Sequence, residues 1–260
     1  MNRIECIEIE EAILLSLFFY KILIEKFEYI ILQMTECVLS NVYNKAIKTK
    51  GGVIEKMSQK NTKDKISWEE IKDSVFVGVV NQKKQQSFLE RGRIPCYHWD
   101  GLSFFCRLKE YNNGTMQPIR INQEMMREWD CTFHQLFSQA VKNTEQDSVV
   151  IQAEKLLPEY NRKNIKTQVF VFTNQEKIFG ASGAFFSRKV KELAKENNSS
   201  LFILPSSVHE AVLISDNGSL SAGELADILK VENRTHMTES EILSDELYYY
   251  DRIKKIFCRY

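Results

Sequence analysis

The 260-residue sequence has no net charge, no CxxC pair, no internal repeat and no uninterrupted apolar run of membrane-spanning length. Each absence removes a class of function. With 35 Lys and Arg against 35 Asp and Glu, no overall field draws the chain to a phosphate backbone or an anionic bilayer, so nucleic acid is not an expected partner. The six cysteines (Cys6, Cys37, Cys96, Cys106, Cys131, Cys258) are scattered without paired or regular spacing. They read as reduced thiols in a cytosol rather than as a disulfide framework or a structural zinc module.

What is present is enough for a large core. The sequence is 43% apolar and 27% charged, with 16 Phe and 10 Tyr, which predicts one main domain with an appendage. Residues 12–24, AILLSLFFYKILI, are nearly all apolar, and the pattern continues through Phe27, Tyr29, Ile30, Ile31 and Leu32. Lys21, Glu25, Lys26 and Glu28 interrupt it, whereas a span needs roughly 20 mostly apolar residues with few or no charges. A secretory signal fits poorly as well, because Glu5, Glu8, Glu10 and Glu11 precede the run where basic residues belong. The expectation is an N-terminal helical segment, residues 1–57, that hides its apolar face on the domain, on a second copy or on a membrane surface. The polar stretch SQKNTKDK then marks residues 58–66 as linker, and residues 67–260 as an α+β domain.

Within that domain, capping-box pairs predict helix starts at Ser67/Glu70, Thr132/Gln135, Ser221/Glu224 and Thr238/Glu241. Trp68, Ile71, Val75 and Val79 continue the first at helical spacing, and Phe133, Leu136, Phe137, Ala140 and Val141 form a stripe on the second. That stripe, with Trp129, is expected in the core. Asp100-Gly101 between Tyr97-His98-Trp99 and LSFFCRL signals a hairpin. Residues 168–173 read as a strand with a short Lys177-Ile178-Phe179 partner, and residues 184–197 as a helix entered through Gly180-Ala181-Ser182-Gly183. Residues 201–204 and 211–214 read as adjacent antiparallel strands around a polar knot. The result is an α+β fold with a largely antiparallel sheet built from hairpins, with packed helices.

Chemistry-bearing constellations are sparse. Ser206 or Ser207 as nucleophile, His209 as base and Glu210 or Asp245 as orienter would suit a hydrolase. The same serines after Pro205 equally suit a tight turn, with His209 at a strand edge. Gly180, Ser182 and Gly183 lack both the spacing of a nucleophile elbow and the lysine of a phosphate loop. They leave Ser182 as a helix N-cap and the loop as an anion-binding candidate. Cys96, His98 and Cys106 share one hairpin, but three scattered ligands fall short of a zinc site, and they read as core residues. No metal or cofactor is expected. His134 falls on the polar side of its helix and His236 in a loop. The basic clusters Arg188, Lys189, Lys191, Lys195 and Arg252, Lys254, Lys255, Arg259 are interspersed with acids and read as solvated faces.

The series VVNQKKQQSFLE, DGLSFFCRL, EMMREWDCTFHQLFSQAVKNT, FVFTNQEKIFGASGAFF, LFILPSSVHEAVLI and VENRTHMTESEILSDELYYYDR resembles an uncharacterised domain-of-unknown-function family of gut Firmicutes, often carried on mobile elements. The likeness runs from about residue 67 to the C-terminus. More distantly, the helix after Trp129 and the Leu204-Pro205 hairpin resemble the YtpQ family. The resemblance implies a soluble, cytoplasmic bacterial protein and brings no catalytic residues with it. Residues 1–57, outside the likeness, read as a replaced module or a truncated or frame-shifted start. The function expected is a non-enzymatic binding or regulatory module, with an unknown protein partner or self-association through the N-terminal helix. The alternative is a hydrolase centred on residues 205–210.

Overall fold

The computed structural model describes residues 67–112, 115–156 and 167–260. The expectations for residues 1–57 and for the linker, residues 58–66, lie outside these residues.

The chain opens with a single helical turn, α1 (Trp68–Ile71), whose Ser67/Glu70 capping box is formed. The helix does not continue as its spacing predicts. After a short 3-10 turn the chain becomes strand β1 (Val75–Asn81). Val75, Phe76, Val77, Val79 and Val80 are all buried, so the segment has no solvent face for a helix to present. Apolar, mostly β-branched residues at successive positions suit a strand covered on both sides. Helix α2 (Gln82–Arg91) follows, with Asn81 accepting the Lys84 N–H as N-cap. Strands β2 (Cys96–Trp99) and β3 (Leu102–Asn112) form the expected hairpin. Asp100 and Gly101 have φ of 45° and 87°, the positive pair that such a two-residue turn demands. Strand β4 (Thr115–Arg120) and helices α3 (Gln123–Glu128) and α4 (Phe133–Asp147) come next, α4 with the Thr132/Gln135 capping box in place.

The second half adds β5 (Ser148–Gln152), the single turn α5 (Ala153–Leu156), β6 (Val169–Asn174) and a 3-10 turn, Ala181–Phe185. Then come α6 (Arg188–Glu196), the expected antiparallel pair β7 (Leu201–Leu204) and β8 (Ala211–Ser215), and α7 (Ala222–His236). Strands β9 (Tyr248–Asp251) and β10 (Ile256–Arg259) end it. Two antiparallel sheets result, β1-β3-β2 with β4 also on β3, and β10-β9-β7-β8-β6-β5. The fold is α+β.

One face of the first sheet (Val77, Val79, Phe104, Cys106) shares the main core with Leu136 and Ala140 of α4 and with Phe170, Phe172, Ile203 and Leu213 of the second sheet. The opposite face of the second sheet packs on Leu225 and Leu229 of α7. The outer face of the first sheet is partly covered by Leu89 of α2. Strand β1 is an edge, and side chains satisfy its free backbone groups. Thr144 Oγ1 accepts the Val77 N–H at 2.9 Å, Ser182 Oγ donates to Val77 O at 2.8 Å, and Asn143 Nδ2 donates to Val75 O at 2.8 Å. An edge closed in this way offers no ladder for another strand.

Three further expectations are corrected. The Thr238/Glu241 hydrogen bonds form, with Thr238 Oγ1 donating to Glu241 at 2.8 Å, yet only a turn follows. Leu243 and Leu247 would share a helix face, but here one enters each of the two larger cores. Residues 177–179 are not a strand: Lys177 and Phe179 have φ of 55° and 56°, and the Asn174 side chain closes the loop by bonding both backbone groups of Ile178. The partners of β6 are β5 and β8. The helix read from residue 184 begins at Arg188, capped by Ser187.

Candidate functional site

The two candidate loops of the sequence meet in space. Gly180 N–H donates to His209 O at 2.9 Å and Ala181 N–H to Val208 O at 3.4 Å, so residues 179–183 lie along residues 205–210. Ser206 Oγ donates to Glu210 O at 3.1 Å, and Ser207 Oγ accepts the His209 N–H at 3.1 Å and donates to Glu210 Oε1 at 3.4 Å. These are turn-forming bonds. Ser207 is 0% exposed and Ser206 and Glu210 are buried. His209 Nδ1 accepts the Phe179 N–H at 3.2 Å, which places the proton of a neutral imidazole on Nε2, 3.5 Å from Glu241 Oε1. The carboxylate facing His209 is thus neither Glu210 nor Asp245. Asp245 accepts from Asn233 Nδ2 at 2.7 Å instead. Glu241 was legible only as a capping residue.

The glycine loop serves close packing. A Cβ on Gly180 would lie 2.4 Å from Asn174 N, and one on Gly183 would lie 2.7 Å from Phe172 Cε1. Ser182 is not an N-cap; it is fully buried and holds β1. Phe179, in its left-handed backbone conformation, stacks on His209 at 4.8 Å on one side and carries the Arg107 guanidinium at 4.1 Å. A bulky residue at such a φ is held there by its surroundings. Arg107 is 2% exposed, and its Nε has no hydrogen-bond partner among the described residues. Burial, and then the neighbouring Arg120, push it down to about 9, so it stays charged at neutral pH. The place left for its side chain is Gly78, where a Cβ would sit 2.5 Å from Arg107 Nε. Sequence reasoning gives Arg107 no role, and it reads Phe179 and Glu241 only as a strand residue and a capping residue.

A larger feature lies across the first sheet. Strand β2 alternates, sending Tyr97 and Trp99 to one side and Cys96 and His98 to the other. Tyr97 and Trp99 line a groove of about 880 Å³ together with Phe104, Phe137, Val141, Phe185 and Phe257. Its floor is pinned by Tyr248, whose ring packs on Trp99 at 5.4 Å and Phe185 at 5.2 Å and whose hydroxyl donates to Asp100 O at 2.8 Å. Burial pushes that phenol up to about 12. The rim carries Lys142, Glu145 and Arg188, with Glu145 accepting the Arg188 N–H at 3.0 Å. The stripe expected in the core divides here. Trp129, Leu136 and Ala140 are buried, whereas Phe133, Phe137 and Val141 are only partly covered, the last two because they form a wall of the groove.

Other sequence candidates are dispersed. Cys106 faces the core at 1% exposure, away from Cys96 and His98, so the three do not converge. Among the described residues no group of three or more His, Cys, Asp or Glu side chains is placed to hold a metal ion, and no helix is long and apolar enough to cross a membrane. His134 is exposed. His236 ends α7 rather than lying in a loop, with Nδ1 2.8 Å from Glu232 Oε2. The two basic clusters are neighbours, since Lys191 lies 5.7 Å over the Phe257 ring.

No curated protein and no solved structure matches the chain. A family model does, over residues 22–252. That match begins well before residue 67 and so takes in part of the segment that the sequence analysis set apart. Its span leaves only the two ends of the sequence uncovered, and on that ground the chain belongs to DUF5688, a family of unknown function.

Proposed function

We propose that the protein is a binding module that associates with a second copy of itself, each groove receiving residues 12–32 of the other chain. The observation that carries this reading is the groove, an aromatic channel of about 880 Å³ whose rim carries Lys142 and Arg188 beside Glu145. Apolar concavities of this kind mark interaction sites. The occupant is chosen by complementarity. Residues 12–32 supply an apolar stretch too long to leave in water, in which Lys21 and Lys26 balance Glu25 and Glu28, with the acidic run Glu5, Glu8, Glu10 and Glu11 ahead of it. Lys142 and Arg188 stand on the rim, Arg188 with its side chain 79% exposed and its Nε 3.8 Å from Glu145 Oε1. Each copy offers one groove and one apolar stretch, so a twofold pair satisfies both at once. A cytoplasmic bacterial regulator is the setting that fits. The hydrolase alternative at Ser206, Ser207, His209 and Glu210 has less to rest on, because the serines are buried within a turn and His209 Nδ1 already accepts a backbone N–H.

Sedimentation velocity over a concentration series tests the reading on the full chain and on Val141→Glu, which puts a carboxylate into the groove wall. The expected result is a reversible dimer for the parent and a monomer for the variant, with matching circular dichroism. A parent that stays monomeric overturns the reading, and so does a dimer that Val141→Glu leaves intact.

A further inference from the structure

On the face of β2 opposite the groove lies a separate pocket of about 340 Å³, lined by Cys96 and His98 together with Gln82, Gln86, Leu89 and Gln123 among others. Cys96 Sγ is 3.7 Å from His98 Nε2, and His98 Nδ1 is 2.9 Å from Ser103 Oγ. Ser103 is fully buried, so it is a fixed post for an imidazole that is itself exposed. A neutral ring protonated on Nδ1 donates to Ser103 and leaves Nε2 free to accept the thiol proton. Nucleophile, base and orienter thus stand in line, the arrangement that covalent catalysis requires.

We propose that Cys96, His98 and Ser103 form a nucleophilic site that accepts acyl groups from activated esters or thioesters. Burial raises the Cys96 thiol above its ordinary value, so the sulfur is protonated at neutral pH and needs a base beside it. In the acylation step the S–H proton passes to His98 Nε2 while Sγ bonds to the carbonyl carbon and the carbonyl π pair moves onto oxygen. Collapse restores the carbonyl and breaks the bond to the leaving alkoxide or thiolate, which takes the proton back from Nε2. Cys96 is left as a thioester. Water attacks it by the same route, giving its proton to Nε2, and the carboxylic acid leaves as Sγ regains the proton. Gln82 and Gln123 line the same pocket and carry amides of the kind that stabilises such an oxyanion. Gln86 is engaged, donating to Glu90 at 2.9 Å. Cys96 and His98 touch the reacting atoms, and Ser103 is a positioning residue.

The probe is p-nitrophenyl acetate added to the full chain, with p-nitrophenolate release followed by absorbance and the acetylated residue found by peptide mass spectrometry. Cys131 and Cys258, both part-exposed thiols, are internal references. The expected result is that Cys96 is acetylated first and that Cys96→Ala removes the fast phase. His98→Asn, at an exposed position and so compatible with folding, slows the labelling of Cys96 roughly 10²–10⁴-fold. Ser103→Ala lowers the rate, and Ser103→Thr, which keeps the hydroxyl, restores most of it. Labelling of Cys96 no faster than that of Cys131 and Cys258, or unchanged in His98→Asn, overturns the proposal. A Ser103→Thr variant as slow as Ser103→Ala removes Ser103 from it.

Discussion

Replacing Thr144 by valine tests how the first sheet is held to the rest of the domain. Val77 sits on the edge strand and turns its N–H and C=O away from β3, toward Thr144 Oγ1 at 2.9 Å and Ser182 Oγ at 2.8 Å. Thr144 is 7% exposed and Ser182 is 0% exposed, so water has little access to either bond. Thr144→Val keeps the branched shape and removes the acceptor, leaving a buried N–H unpaired at a cost of about 1–3 kcal/mol. For a chain of this size that lowers the melting temperature by roughly 2–12 °C. Ser182→Ala removes the other bond at a cost in the same range, about 1–3 kcal/mol. Because both bonds fix one residue, the double variant should show a coupling energy of about 0.5–3 kcal/mol. Urea denaturation followed by far-ultraviolet circular dichroism measures all three. A Thr144→Val loss below about 0.5 kcal/mol, the range of ordinary surface changes, would refute the idea that side chains close this edge.

Other substitutions probe other parts of the fold. Leu136→Ala, at a fully buried position, should cost about 2–5 kcal/mol, whereas Phe137→Ala, in the groove wall, should fall clearly short of the roughly 3–5 kcal/mol of an enclosed phenylalanine; equal losses in urea titrations would mean that the groove is filled. Arg107→Met removes a buried cation with no carboxylate beside it among the described residues, losing ring contacts worth up to about 2 kcal/mol each, and the net change should run from neutral to about 4 kcal/mol stabilising. A destabilisation beyond about 2 kcal/mol would show that the cation instead anchors Phe179. Ser221 holds the Glu224 carboxyl below its ordinary value by side-chain and backbone hydrogen bonds. The folded-state value is the lower one, so this contribution is present above about pH 4.5 and is lost as pH falls through the folded value. Ser221→Ala should therefore cost about 0.5–2 kcal/mol at neutral pH and flatten the acid limb of the stability profile. An unchanged limb in acid titrations followed by circular dichroism would place the effect elsewhere.

Local chemistry in the sequence determined those features whose cause lies within a few residues. The Asp100-Gly101 turn sets two positive φ values and with them the β2–β3 register. The boxes at Thr132 and Ser221 start the two longest described helices, and the short apolar runs on either side of the Pro205 knot pair as β7 and β8. Where burial on two sides competed with local spacing, tertiary structure decided. The β1 valines match a helix by spacing, yet they form a strand because cover lies on both faces. Thr238 and Glu241 make their capping bonds, but no helix follows, because Leu243 and Leu247 are drawn into separate cores. The same division runs through the candidate sites. Cys96 and His98 stand two apart on a strand, so sequence alternation puts them on one face and Cys106 on the other only once β2 and β3 are paired. Glu241 reaches His209, Arg107 reaches Phe179 and Tyr248 reaches Trp99 across gaps of tens to about a hundred and fifty residues. No local pattern encodes such contacts, because they arise from the packing of one sheet on the other.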